Sequence, residues 1–289
     1  MNIRHLLILF LLASLWGGSF MFIRMAVPDF GAIPLSASRS LVAAVMLMPL
    51  MMLRGLWPVF RLHWAHLMVV GLISTALPFS LITISTQYTS AGFASILNSL
   101  TPIFSALVAW LWLREYLSPA AIIGIVLSFL GVMVMVFDRE TIASNLLVLP
   151  VLAGLGATLF YGLTGNYSRR YIREVPTLVI AAGCQFFSAL FLMPVALLLW
   201  PDAPIPPQSW AYAFILGIFC TGLAFILYFH LLSQVGVART VIVTYLVPVF
   251  AMLFGVLFLD ETVTFKMLAG ACCILAGIGL TTWKPGPPA

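Results

Sequence analysis

The chain has 289 residues, 63% of them apolar or aromatic, and only 13 basic and 8 acidic side chains, for a net charge of +5. A soluble domain has roughly a quarter of its residues charged. At 7% charged and a mean hydropathy of +1.16, this composition excludes one. No basic run exceeds Arg169-Arg170, which suits loops beside anionic lipid and excludes nucleic acid as a partner.

A bilayer core of about 30 Å takes about 20 apolar residues per helix. With short loops the length predicts about ten spans and leaves no room for a separate soluble domain. Polar breaks place the apolar runs at about 4–27, 30–54, 63–87, 89–113, 118–137, 145–168, 176–200, 209–234, 237–259 and 264–283.

In the first run Arg4 precedes a leucine-rich core with small Ala13-Ser14, as in a secretory leader, but the run continues to about Val27 and reads as a retained helix. It carries Trp16 and Gly17-Gly18 in its middle and Arg24 near its end. The second run contains Arg39, the one full charge placed well inside a span, where a charge costs a few kcal/mol or more unless it meets a cavity or a partner. The break after the third run, between Gln87 and Thr89, is the weakest.

The fourth run holds Asn98 and Pro102 and ends at Arg114-Glu115; the fifth has small residues Ala120, Gly124 and Ser128 at four-residue spacing. After Asp138-Arg139-Glu140 the sixth run carries Tyr161 and ends at Arg169-Arg170. Gln185 lies in the seventh, Tyr228 and His230 in the eighth, and Thr244 and Pro248 in the ninth, which ends at Asp260-Glu261. The tenth repeats the small-residue spacing with Ala269, Cys273 and Gly277.

Positive loops stay cytoplasmic. With the N-terminus inside, nine basic residues (Arg4, Arg54, Arg61, Arg114, Arg169, Arg170, Arg173, Arg239 and Lys284) face the cytoplasm and three (Arg24, Arg139 and Lys266) face outward, so both termini are expected inside. Seven tryptophans lie near run ends, where the indole N–H reaches the headgroups; Trp16 is the exception. Cys184, Cys220, Cys272 and Cys273 show no metal or redox spacing and read as small buried residues.

Sliding the chain by 146 residues superposes Trp64 on Trp210, Gly71 on Gly217, Thr75 on Thr221, Phe79 on Phe225, Pro102 on Pro248, Glu115 on Glu261 and Gly124 on Gly270. Each repeat holds five spans, and an odd number sets the second copy upside down relative to the first, the plan of a transporter with two related gates around one midplane site. The expected architecture is an all-α integral membrane protein of two inverted five-helix repeats, 1–143 and 144–289.

The residues Leu15-Trp16-Gly17-Gly18-Ser19-Phe20 with Arg24, then Arg39, Pro102, Glu115 and Gly124, with Tyr161, Arg169-Arg170, Pro248, Glu261 and Gly270 in the second copy, resemble the EamA-type members of the drug/metabolite transporter superfamily. The resemblance covers the whole chain. It implies that spans 1–4 and 6–9 surround a central cavity with spans 5 and 10 peripheral, and that the activity is export or exchange of amino acids, other small metabolites or toxic compounds. The small multidrug members carry a carboxylate in the first span; here that span has none.

The expected cavity residues are Trp16, Arg39, Asn98, Tyr161, Gln185, Thr244, Tyr228 and Tyr88. Arg39 would attract a carboxylate, or else snorkel to the outer surface. Gln185 is taken as its repeat partner, suited to dipoles or to a plain interhelical hydrogen bond. Trp16 and Tyr161 would form aromatic walls. Pro102 and Pro248 would kink their helices, with Asn98 and Thr244 one turn earlier meeting the freed carbonyl or the solute. Glu115 and Glu261, at run ends beside Arg114 and Asp260, read as gate or loop ionisable residues. The small-residue ridges of spans 5 and 10 serve packing within the monomer or a homodimer contact.

The expected partners are a small-molecule solute and the lipid bilayer, that of a bacterial inner membrane, with no cofactor and no metal. A membrane enzyme would need an HExxH, a GxSxG or a clustered nucleophile and base, which the chain lacks. The alternatives kept open are an exchanger of phosphorylated or nucleotide-linked sugars, which would need several cavity basic residues, and a non-transporting membrane scaffold or lipid-handling protein.

Overall fold

A computed structural model describes residues 2–136, 148–236, 240 and 242–282. It contains ten helices long and apolar enough to cross a bilayer. They are α1 (Ile3–Phe30), α2 (Ala32–Leu53), α3 (Trp57–Tyr88), α4 (Ala91–Leu113), α5 (Pro119–Val136), α6 (Val148–Tyr171), α7 (Thr177–Leu198), α8 (Pro207–Val235), α9 (Ile242–Leu259) and α10 (Phe265–Thr282). In hydrocarbon each backbone N–H must be satisfied by the protein, which a helix does locally. The chain is therefore an all-α, multi-pass integral membrane protein. Asp138, Arg139, Glu140, Arg239, Trp283 and Lys284 lie outside the described residues.

Local chemistry sets the helix ends. Asn2 Oδ1 accepts the His5 N–H at 3.0 Å to start α1. Gly31, with φ of 76°, forms the whole link to α2, a backbone conformation that other residues enter only with strain. α3 begins at Trp57, six residues before the apolar run, with a proline in its first turn; interfacial turns tolerate exposed polar residues such as Arg61.

The two prolines behave differently. α4 is broken into Ala91–Asn98 and Thr101–Leu113, so Pro102 stands in the first turn of a new segment, where its missing N–H leaves no bond unmade, rather than kinking a continuous helix. The carbonyl it cannot serve, that of Asn98, accepts the Thr101 hydroxyl at 2.8 Å. Pro248 is buried inside an unbroken α9.

α3 and α8 each contain a π-helical turn, Leu72–Ala76 and Ile218–Leu223, whose starts are related by the 146-residue offset. α2 and α7 start and end 145 residues apart and hold Pro49 and Pro194 in register. The repeat partner of Arg39 is therefore Cys184; Gln185 corresponds to Ser40, one position along the helix.

Contacts recur in exchanged pairs, as a two-fold axis generates. A Cβ on Gly217 would stand 2.5 Å from Val42 Cβ, and one on Gly71 would stand 2.8 Å from Phe187 Cβ. α5 and α10 pack backbone to backbone through Gly131 with Gly270 and Gly124 with Gly277, and Ser128 Oγ donates to Ile274 O at 3.3 Å. The small-residue ridges of the two helices thus meet within one chain, and Gly270 joins the contact. α2 lies along α7, α1 along α9, and α6 along α3 and α4.

Candidate functional site

Arg39 is the eighth residue of α2, about 10 Å from the start of the helix at 1.5 Å per residue. Its side chain is 7% exposed and turns inward, so it does not snorkel. The Nε–H donates to Thr221 Oγ1 at 2.7 Å, and the guanidinium carbon stands 3.9 Å from the centroid of the Phe79 ring. Arg39 thus joins the two halves, touching α3 in its own repeat and α8 in the other.

The π-turn explains why Thr221 is available. Its hydroxyl donates to Leu216 O five residues back at 2.8 Å, which orients the oxygen lone pairs toward Arg39. π-turns inside α-helices frequently mark functional sites. A cation over an aromatic face contributes about 0.5–2 kcal/mol, and a hydrogen bond to a charged group about 1.5–3 kcal/mol, comparable with the few kcal/mol that burying the charge costs. Among the described residues no carboxylate lies within salt-bridge reach of Arg39, and no other charged side chain is buried.

The surroundings are aromatic. Arg39 is within electrostatic reach of Tyr161 and Cys220. Trp16 and Tyr161 pack on the same apolar cluster as Cys220, and the Trp16 ring lies 5.4 Å from that of Tyr228. Cys220 also lines a groove of about 340 Å³ between α1, α8 and α9, whose other walls include Gly18, Phe22, Phe219, Phe254 and Phe258.

The structure therefore gathers Arg39, Tyr161, Trp16 and Tyr228. Tyr88 does not join them: it ends α3 at 56% exposure. His230 is exposed. Gln185 is fully buried with neither amide atom hydrogen-bonded, and Asn98 Oδ1 is likewise buried without a partner. Thr244 is partly buried in the first turn of α9. Of the cysteines, Cys184 and Cys220 are buried as expected, but Cys272 is exposed; thiols tolerate contact with lipid. Among the described residues no group of His, Cys, Asp and Glu could hold a metal.

Two contributors were not singled out as site residues from sequence, Thr221 and Phe79. Their signal was present: Gly71, Thr75 and Phe79, repeated as Gly217, Thr221 and Phe225, recur every four residues and so share one helix face.

Glu115 and Glu261 leave equivalent turns. Arg114 and Asp260 both adopt left-handed φ, 56° and 52°, and the Glu115 and Glu261 N–H groups donate to Ala109 O and Gly255 O at 3.2 and 3.1 Å. Glu115 pairs with Arg169 at 2.5 Å, with both side chains about half exposed. Such pairs contribute about 0–1 kcal/mol, suited to a contact that opens.

The profile of the EamA-like transporter family matches residues 4–137 and again residues 148–283. The chain belongs to the EamA-like transporter family. A protein named "Uncharacterized transporter" from Archaeoglobus fulgidus is 29% identical, covering 98% of this chain and 99% of its own. YvbV of Bacillus subtilis, also named an uncharacterized transporter, is 24% identical over 97% and 92%. A protein named "Probable terminal-alkyne amino-acid exporter" from Streptantibioticus cattleyicolor is 24% identical over 92% and 89%. A solved crystal structure shares the fold at a TM-score of 0.65 and 20% identity, covering 98% of this chain and 97% of that one. As an EamA-like transporter, the protein moves a solute across a lipid bilayer.

Proposed function

We propose that this EamA-like transporter exports small amphiphilic metabolites bearing one carboxylate, with amino acids and related compounds as the leading class. One observation carries the reading: Arg39, buried between the halves, has Thr221 and Phe79 as neighbours but, among the described residues, no carboxylate of its own. A guanidinium with free N–H groups grips a carboxylate bidentately. Trp16, Tyr161 and Tyr228 offer an apolar, hydroxyl-tipped wall for the rest of the solute, and the amino-acid exporter named among the relatives agrees in class. The sugar-phosphate alternative is disfavoured because Arg39 is the sole buried charge among the described residues.

In this reading the two repeats, 1–143 and 144–289, are inverted and rock about the axis that relates the exchanged contacts, exposing Arg39 to each side in turn. Both termini face the cytoplasm, by the distribution of basic residues.

The test is counterflow in proteoliposomes with an amino acid against its amide. Arg39→Lys keeps the charge but loses the planar fork, and Arg39→Gln loses both. Each should lower acid flux more than amide flux, in protein that remains folded in detergent. An equal fall for acid and amide would make Arg39 structural and end the carboxylate reading.

A further inference from the structure

Arg24 and Arg169 occupy equivalent positions, as do Glu115 and Glu261. By the exchange seen at the other contacts, the Arg169–Glu115 pair should be matched by Arg24–Glu261. It is not. Arg24 Nη1 donates instead to Thr86 O at 3.2 Å and Gln87 O at 2.5 Å, at the C-terminal end of α3. Glu261 Oε1 accepts the Ala91 N–H at 2.8 Å, at the N-terminal end of α4.

Both side chains thus hold the same α3–α4 elbow, the cation on the negative end of one helix and the carboxylate on the positive end of the next. The parked carboxylate needs space that one residue provides: a Cβ at Gly255 would collide with Glu261 Oε2. Ala109, the equivalent of Gly255, carries that methyl, and Glu115 points to Arg169 instead.

We infer that Arg169–Glu115 and Arg24–Glu261 are two equivalent latches, one on each face, engaged in alternation. This rests on the alternating-access reading above. Here the first latch is closed, and the members of the second are parked on the elbow. In the opposite conformation Arg24 leaves the Thr86 and Gln87 carbonyls, Glu261 releases the Ala91 N–H, the two pair with each other, and Arg169 and Glu115 separate. The α3–α4 elbow then loses both of its charged anchors, so its hydrogen bonding reports which latch is engaged.

The experiment reads conformation, not flux. In a background with Cys184, Cys220, Cys272 and Cys273 replaced, Arg24→Cys with Glu261→Cys should cross-link slowly under oxidant. Adding Glu115→Gln should raise that rate roughly two- to five-fold, the shift expected from losing one exposed ion pair. Arg169→Gln should do the same, and Glu115→Arg combined with Arg169→Glu should restore the slow rate. In otherwise native protein, Glu115→Gln and Gly255→Ala should each speed hydrogen exchange in the peptide containing Ala91, and this readout decides the matter if the cysteine variants do not fold. Unchanged cross-linking and unchanged exchange would overturn the latch. A protein that shows these shifts but carries no carboxylate solute would keep the latch and lose the export reading.

Discussion

Thr221 both receives the Nε–H of Arg39 and donates its own hydroxyl to Leu216 O, so one side chain ties the buried charge to the π-turn of α8. Thr221→Val keeps the shape and removes both bonds. It should lower stability by about 1–3 kcal/mol, the cost of leaving a buried donor unsatisfied, and reduce flux of the carboxylate solute. Thr221→Ser should recover most of both. Thermal unfolding in detergent and counterflow check the pair; a Thr221→Val protein as stable and active as the parent would detach the π-turn from the site.

Gln185 invites the opposite expectation. It is fully buried with both ends of its amide unpaired, so Gln185→Met, close in volume, should raise the stability by about 1–3 kcal/mol and leave flux intact. A lower melting temperature would mean that water or solute completes its hydrogen bonds.

Arg114 and Asp260 carry the same left-handed backbone at equivalent positions, both on the exposed surface. With inverted repeats they lie on opposite sides of the membrane. In intact cells an impermeant maleimide should label Asp260→Cys and spare Arg114→Cys, once exposed Cys272 is replaced along with the other native thiols. Labelling of both would refute the inversion.

At the α5–α10 contact a Cβ on Gly131 would stand 2.7 Å from Gly270 O. Gly131→Leu should force the helices apart and cost about 1–3 kcal/mol, as overpacking does. Because Arg39 is not in this contact, the ratio of acid to amide flux should stay at the parental value. A changed ratio in a folded variant would couple these outer helices to solute choice.

The ten spans were legible because lipid demands long apolar runs, and the repeat was legible because Gly71, Thr75, Phe79, Pro102 and Glu115 return at one offset. Register in the second and seventh spans was not. Apolar side chains match almost equally well when slid by one residue, and only Pro49 against Pro194, with the helix ends, distinguishes 145 from 146. That single step assigned Gln185 in place of Cys184. The break in α4 was likewise hidden, because the same proline begins a segment at position 102 and sits inside a helix at position 248. The partner of Arg39 lies 182 residues away, a contact no local pattern encodes.

The contact of Gly131 with Gly270 and that of Gly124 with Gly277 are one geometric event met twice, because each half contributes both surfaces. Among assemblies this is the isologous arrangement of a homodimer, here closed within a single polypeptide. Substitutions at these glycines therefore fall into matched pairs with the same steric consequence. Residues such as Arg39 and Cys184, equivalent in place but different in chemistry, are where the two copies have been free to specialise.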